Sequence, residues 1–216
     1  MTQQQGGPAA RHSRDRTLVR WEERFSIDEY LFGEGPNGYL ASKAALLAKD
    51  DRALSIADGE GRNSVWMAQQ GLQVDAFDFS PAGVRKAERL ARNRGVHVNF
   101  NVCEMFQWEW RPSTYDVVAA IFIQFLAPHE RDRLFPLIEQ TMKPGAVLIL
   151  QGYRLEQLNY GSGGPSHPDQ LYTEATVREA LKRMDILEVV CYDERIEEGR
   201  AHAGMSALIG AVARKR

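Results

Sequence analysis

The stretch IADGEGRN, Ile56 to Asn63, places two glycines between strand-like residues, Leu54 to Ala57, and a helix-like run that begins at Arg62. A loop of this kind offers backbone N–H groups and a helix N-terminus to a ligand carrying negative charge. Gly59 and Gly61 permit close approach, but Ser64 stands where a GxGxxG fingerprint needs its third glycine, so the dinucleotide pattern is incomplete. Asp78 lies 19 positions after Gly59, at the end of a second strand-like run, where a carboxylate can accept from both hydroxyls of a ribose. This pairing favours an adenosine-type ribose over one bearing a 2′-phosphate, and it leaves a nicotinamide and a sulfonium cofactor equally open. Glu104 closes a third strand-like run, placed to accept from an adenine amino group, with the N–H of Met105 available to a ring nitrogen.

The elements that must hold these residues alternate from residue 52 onward. ALSIA reads as a buried strand, Arg62 to Gln70 as a helix ended by Gly71, and QVDAFD as a second strand. SPAGVRKAERLARNRG has Ser80 as N-cap, Pro81 at the first helical position and Gly95 as its end. HVNFNVCEM and YDVVAAIFI follow as strands three and four, ERDRLFPLIEQTM as a helix, and KPGAVLILQGY as a turn feeding a fifth strand. This rhythm implies a parallel sheet with helices on both faces. It breaks after the helix TEATVREALKRM: DILEVVCYDERIEE and MSALIGAVA are joined by so short a connection, EGRAHAG, that they must pair antiparallel. Before the sheet, residues 17–50 carry many aromatics around the turn cluster FGEGPNG, the composition of a helical lid or cover. Residues 1–16 read as a disordered tail, and 17–216 as one domain.

Composition narrows the function. The 27 basic and 29 acidic residues leave a net charge of -2, with no basic stripe, so neither nucleic acid nor an anionic membrane is an expected partner. No apolar run approaches the roughly 20 residues that span a bilayer, and the N-terminus lacks the apolar region of a signal peptide, so a cytoplasmic protein is expected. Cys103 and Cys191 sit in or beside apolar runs and read as buried thiols, and without a CxxC no metal site is expected.

WEERFSIDEYLFGEGPN, GEGRNSVWMAQQG, VDAFDFS, MKPGAVLIL, GSGGP and EGRAHAG together make the chain similar to the class I S-adenosylmethionine-dependent methyltransferases. Within them it resembles the small tellurite-resistance and thiopurine methyltransferase-type branch, from Trp21 to about Lys215. The resemblance implies a Rossmann-like, doubly wound, seven-stranded, mostly parallel sheet with a C-terminal antiparallel strand and an N-terminal helical lid. It implies S-adenosyl-L-methionine as cofactor and S-adenosyl-L-homocysteine as product. One departure concerns the acid that usually opens the loop: Ser55 occupies its place and Ala57 that of a glycine, with Asp58 or Glu60 as substitutes.

By the same resemblance, Ala57, Gly59 and Gly61 line the methionine moiety, with Arg62 or Asn63 near its carboxylate. Asp78 binds the ribose, Phe79 flanks the adenine, and Glu104 and Met105 read its edge. Ile121 to Gln124 floor the pocket, and Tyr30 to Asn37, with Gly33, form the lid. His202 matches a histidine region of the tellurite branch and is the catalytic candidate; Tyr153, Arg154 and His167 are candidates for the acceptor. The cysteine trio of arsenite chemistry is missing. The expected activity is methyl transfer to a small heteroatom acceptor, a thiol, chalcogen oxyanion or amine, by a monomer or weak homodimer. Two alternatives remain: a protein that binds the cofactor without turnover, and a nicotinamide-dependent oxidoreductase.

Overall fold

A computed structural model describes the backbone from Pro8 and the side chains from Thr17 to Arg216. Helix α1 (Pro8–Phe25) begins within the stretch expected as a tail, and residues 1–7 lie outside the described residues. A short helix α2 (Gly38–Ser42) follows, then β1 (Arg52–Ile56), α3 (Arg62–Gln69), β2 (Gln73–Asp78), α4 (Pro81–Arg94), β3 (Asn99–Val102) and β4 (Tyr115–Ile121). The second half adds α5 (Pro128–Thr141), β5 (Met142–Tyr153), α6 (Glu174–Ala180), β6 (Asp185–Glu197) and β7 (Ala203–Arg214).

The seven strands of the described residues form one sheet in the order β3-β2-β1-β4-β5-β7-β6. β1 to β5 run parallel, and β7 inserts antiparallel between β5 and β6. The order reverses at β1 and β4, both of which start from the centre of the sheet. In an open α/β sheet, ligands bind beyond the strands' carboxyl ends at such a switch point. Strand side chains alternate between the two covering layers. Leu54 and Ile56 face Leu134 and Ile138 of α5 and Leu181 just after α6, whereas Ala53 packs with Leu40 of α2 and Met67 of α3. Burial of each such large aliphatic side chain contributes about 1.5–3 kcal/mol.

The local rules explain most boundaries. Ser80 accepts from Gly83 N at the start of α4, and Gly95, with φ +66°, ends it. β3 stops sooner than its apolar run suggests. After Cys103 N bonds to Asp78 O, the carbonyl of Glu104 accepts from Gln107 N and Trp108 N, which turns the chain away from the sheet. β5 starts at Met142, before the expected turn, and accommodates Gly145 at φ +82° through a register shift opposite Tyr115 and Val117. The thiols also depart from expectation: Cys103 is half-buried and Cys191 exposed, because β6 is an edge strand with one uncovered face. Among the described residues, no helix is long and apolar enough to cross a membrane.

Candidate cofactor-binding site

The loop after β1 is shaped by three left-handed residues, Ala57 (φ +49°), Gly59 (φ +60°) and Gly61 (φ +89°). Gly61 is required sterically as well, since a Cβ there would lie 2.6 Å from that of Ala87 on α4. Asp58 points inward: Ser55 Oγ donates to it at 2.6 Å, and Ser64 donates through both Oγ and N. Thus the serine in place of the usual acid is a ligand of the next acid along, and the carboxylate serves the start of α3. Burial raises the Asp58 pKa against the lowering effect of these bonds and of Arg62. Glu60 is used elsewhere. It pairs with Lys86 Nζ at 2.5 Å and accepts from Phe32 N, joining α4 to the segment between α1 and α2.

At the end of β2, Asp78 accepts from Gly59 N and Ser80 N, each at 2.9 Å. Burial pushes its pKa up to about 6 against those two bonds. Asp78 and the loop open onto a cavity of about 460 Å³, within the range of small-molecule sites. Ala57, Asp58, Gly59, Arg62, Asn63, Asp78, Phe79, Ile121, Gln124, Tyr153 and His202 all line it, so this cavity gathers eleven of the residues the sequence singled out.

The others lie elsewhere for identifiable reasons. Tyr30 packs outside α4, its hydroxyl donating to Lys86 O at 3.0 Å. Gly33, with φ +72°, faces the backbone of Gly199, and Gly61 faces α4. Met105 is buried in the core with its carbonyl accepting from Trp110 Nε1, and Glu104 falls in the turn beyond β3, so neither borders this cavity. Arg154 pairs with Glu156 and Asp193 and donates Nε–H to Leu208 O. His167 is exposed in the loop after β5.

Several lining residues are ones to which the sequence assigned no individual role. Thr17, Arg20, Trp21 and Arg24 come from one face of α1, at the spacing of a helical stripe that the sequence does carry. Phe122 holds φ +54° directly after β4, an unusual conformation for an aromatic residue, and its ring lies 4.5 Å from that of His202. It lies within the Ile121 to Gln124 stretch expected to floor the pocket, and only the fold shows its contact with His202.

His202 sits in the β6–β7 turn, closed by Glu198 N donating to His202 O at 2.8 Å. Phe32 (4.4 Å), Phe122 (4.5 Å) and Tyr153 (5.7 Å) surround its ring. Burial, then the Arg62 and Arg24 guanidiniums, push its pKa down to about 3, so the imidazole is neutral at ordinary pH. Its Nδ1 and the Tyr153 hydroxyl are both buried without a hydrogen-bond partner among the described residues. Two orphaned polar atoms on one cavity wall mark a place built for a polar ligand.

Residues 53–145 match the methyltransferase-domain family model. An uncharacterized protein of Mycobacterium tuberculosis is 25% identical over 131 residues, 60% of this chain and 46% of its own length. The chain thus spans about half the length of the curated relatives it matches. TehB from Haemophilus influenzae superposes with a TM-score of 0.68 at 13% identity, covering 92% of this chain and 67% of that one. A Burkholderia thailandensis 1,6-didemethyltoxoflavin N1-methyltransferase, solved with its acceptor and S-adenosylhomocysteine, gives a TM-score of 0.67 at 16% identity and covers 100% of this chain and 93% of its own. The family model thus covers the glycine loop, Asp78 and β4, and the chain as a whole has the fold of these solved class I S-adenosylmethionine-dependent methyltransferases.

Proposed function

We propose that this protein transfers a methyl group from S-adenosyl-L-methionine to a small-molecule heteroatom acceptor. The observation that carries the reading is the convergence of the glycine loop and Asp78 on one cavity at the sheet's switch point, inside the matched family segment. The donor set fits the cofactor. Asp78 keeps acceptor capacity for a ribose, Phe79 offers an aromatic face, and Arg62 and Asn63 stand at the start of α3 for a carboxylate.

When bound, the cofactor supplies a methyl carbon already activated by positive sulfur, so its departure requires no acid. The chain's task is then orientation and exclusion of water. Trp21, Phe25, Phe32 and Phe122 supply an apolar wall for that purpose. Neutral His202, with its free Nδ1, and the Tyr153 hydroxyl hold the acceptor's polar atom in place. His202 takes up the acceptor's proton only where the bound acceptor offsets the two guanidiniums. The small-molecule acceptor of the Burkholderia methyltransferase supports the acceptor class without naming the compound.

Calorimetric titration with S-adenosylmethionine, S-adenosylhomocysteine and NAD is the direct test. Binding of the two adenosyl ligands without NAD supports the reading, and binding of NAD alone replaces it with an oxidoreductase. Cofactor binding with no turnover across thiols, amines and oxyanions would make the protein a non-catalytic binder.

A further inference from the structure

One carboxylate behind the cavity, the first residue of EGRAHAG and given no role by the sequence, joins three elements. Glu198 follows β6 and is largely covered, with its side chain 14% exposed. It pairs with Arg62 Nη1 at 2.8 Å and accepts from Gly38 N at 2.8 Å and Asn37 Nδ2 at 3.0 Å. Its own N–H closes the turn that carries His202. Arg62 in turn donates to Phe32 O, and the Phe32 ring lies against His202. The start of α2, the start of α3 and the β6–β7 turn therefore meet on this side chain.

The charges of the wall give it a second role. Among the described residues, three guanidiniums, Arg20, Arg24 and Arg62, line the cavity against two carboxylates, Asp58 and Asp78. Among the described residues, neither Arg20 nor Arg24 has a carboxylate within ion-pair distance, whereas Arg62 has Glu198. With Glu198 included these described charges balance; without it, they leave excess positive charge facing a cofactor that itself holds a cationic sulfur.

We propose that Glu198 is a positioning residue and counter-charge of the cofactor cavity: it fixes Arg62 in the wall and cancels the repulsion that Arg62 would otherwise exert on the sulfonium. The proposal rests on the cofactor reading above. It distinguishes two ligands that differ chiefly by one methyl and one charge, since S-adenosylmethionine is cationic at sulfur and S-adenosylhomocysteine neutral. A purely structural latch treats them alike.

The experiment is equilibrium titration of the full chain with both ligands for the wild type, Glu198→Gln, Arg62→Gln and the double variant. Glu198→Gln should weaken S-adenosylmethionine on the order of tenfold more than S-adenosylhomocysteine, for an unscreened unit charge several ångströms away. Arg62→Gln, which leaves the carboxylate in excess, should shift the affinity ratio the other way, and the double variant should restore it. Should Glu198→Gln fail to fold, the opposite shift in Arg62→Gln still decides the matter. Parallel losses for both ligands, with the ratio unchanged in every folded variant, would overturn the counter-charge. A wild-type protein that binds neither ligand would overturn the cofactor reading and this proposal with it.

Discussion

Asp78 and His202 are buried ionisable residues with opposite responses to pH. The Asp78 carboxyl titrates near 6 in the folded protein against an ordinary 3.8, so the unfolded chain ionises first. Its contribution to stability therefore falls as pH rises from about 4 to about 6. This is a cost the site bears for keeping an acceptor in a buried position. Asp78→Ala should remove that cost yet weaken S-adenosylhomocysteine by about ten- to a hundredfold, the loss of charged hydrogen bonds to one ligand group, as read by calorimetry. His202 titrates near 3 in the fold against 6.5, so the unfolded chain holds the extra proton between those values and stability rises with pH across that window. His202→Gln should accordingly be more acid-tolerant than the wild type by about 2 kcal/mol at pH 5 and equal to it in this respect at pH 7.5. Denaturant unfolding at the two pH values checks this. The same variant should keep cofactor affinity while slowing transfer, and unchanged turnover would reduce His202 to a packing role.

The segment between α1 and α2 is held by contacts between elements far apart in sequence. Ala201 N donates to Leu31 O at 3.1 Å, and Asn37 N donates to Asn63 Oδ1 at 2.9 Å. Gly199 has φ +74°, and a Cβ there would lie 2.6 Å from Leu31 O and overlap Gly33 N. Gly199→Ala should therefore displace residues 31–33 from the β6–β7 turn without touching the sheet. The expected result is faster proteolysis between residues 26 and 37 and weaker cofactor retention, with the sheet's far-ultraviolet signal preserved. Intact protection of residues 26–37 in that variant would show that the turn yields instead. The glycine-rich sequence announced turns at both places. It could not announce that the two turns touch, because that contact depends on where β6 and β7 fall in the sheet.

At the scale of the molecule, β7 is the last strand in the chain yet an interior strand of the sheet, hydrogen-bonded to β5 on one side and β6 on the other. Leu208, Ile209, Ala211 and Val212 are almost fully buried along it. Deleting residues 203–216 would expose the edge of β5 and strand β6 without a neighbour, so the truncated chain should lose cooperative unfolding and solubility; a sharp melting transition would contradict this. The sequence by itself determined the strand and helix succession, the antiparallel end and the glycine loop with its acid at β2. Those features follow from local periodicity, turn residues and short connections, which act over a few neighbours. Only the tertiary structure decided that Asp58 turns inward to Ser55 and Ser64, and that Glu104 and Met105 leave the sheet before reaching this cavity. It alone showed which face of α1 lines the cavity and that Glu198 pairs with Arg62 behind it. These outcomes depend on which side chains meet across the fold after hydrophobic burial has fixed the elements, and such long-range partners leave no local pattern in a single chain.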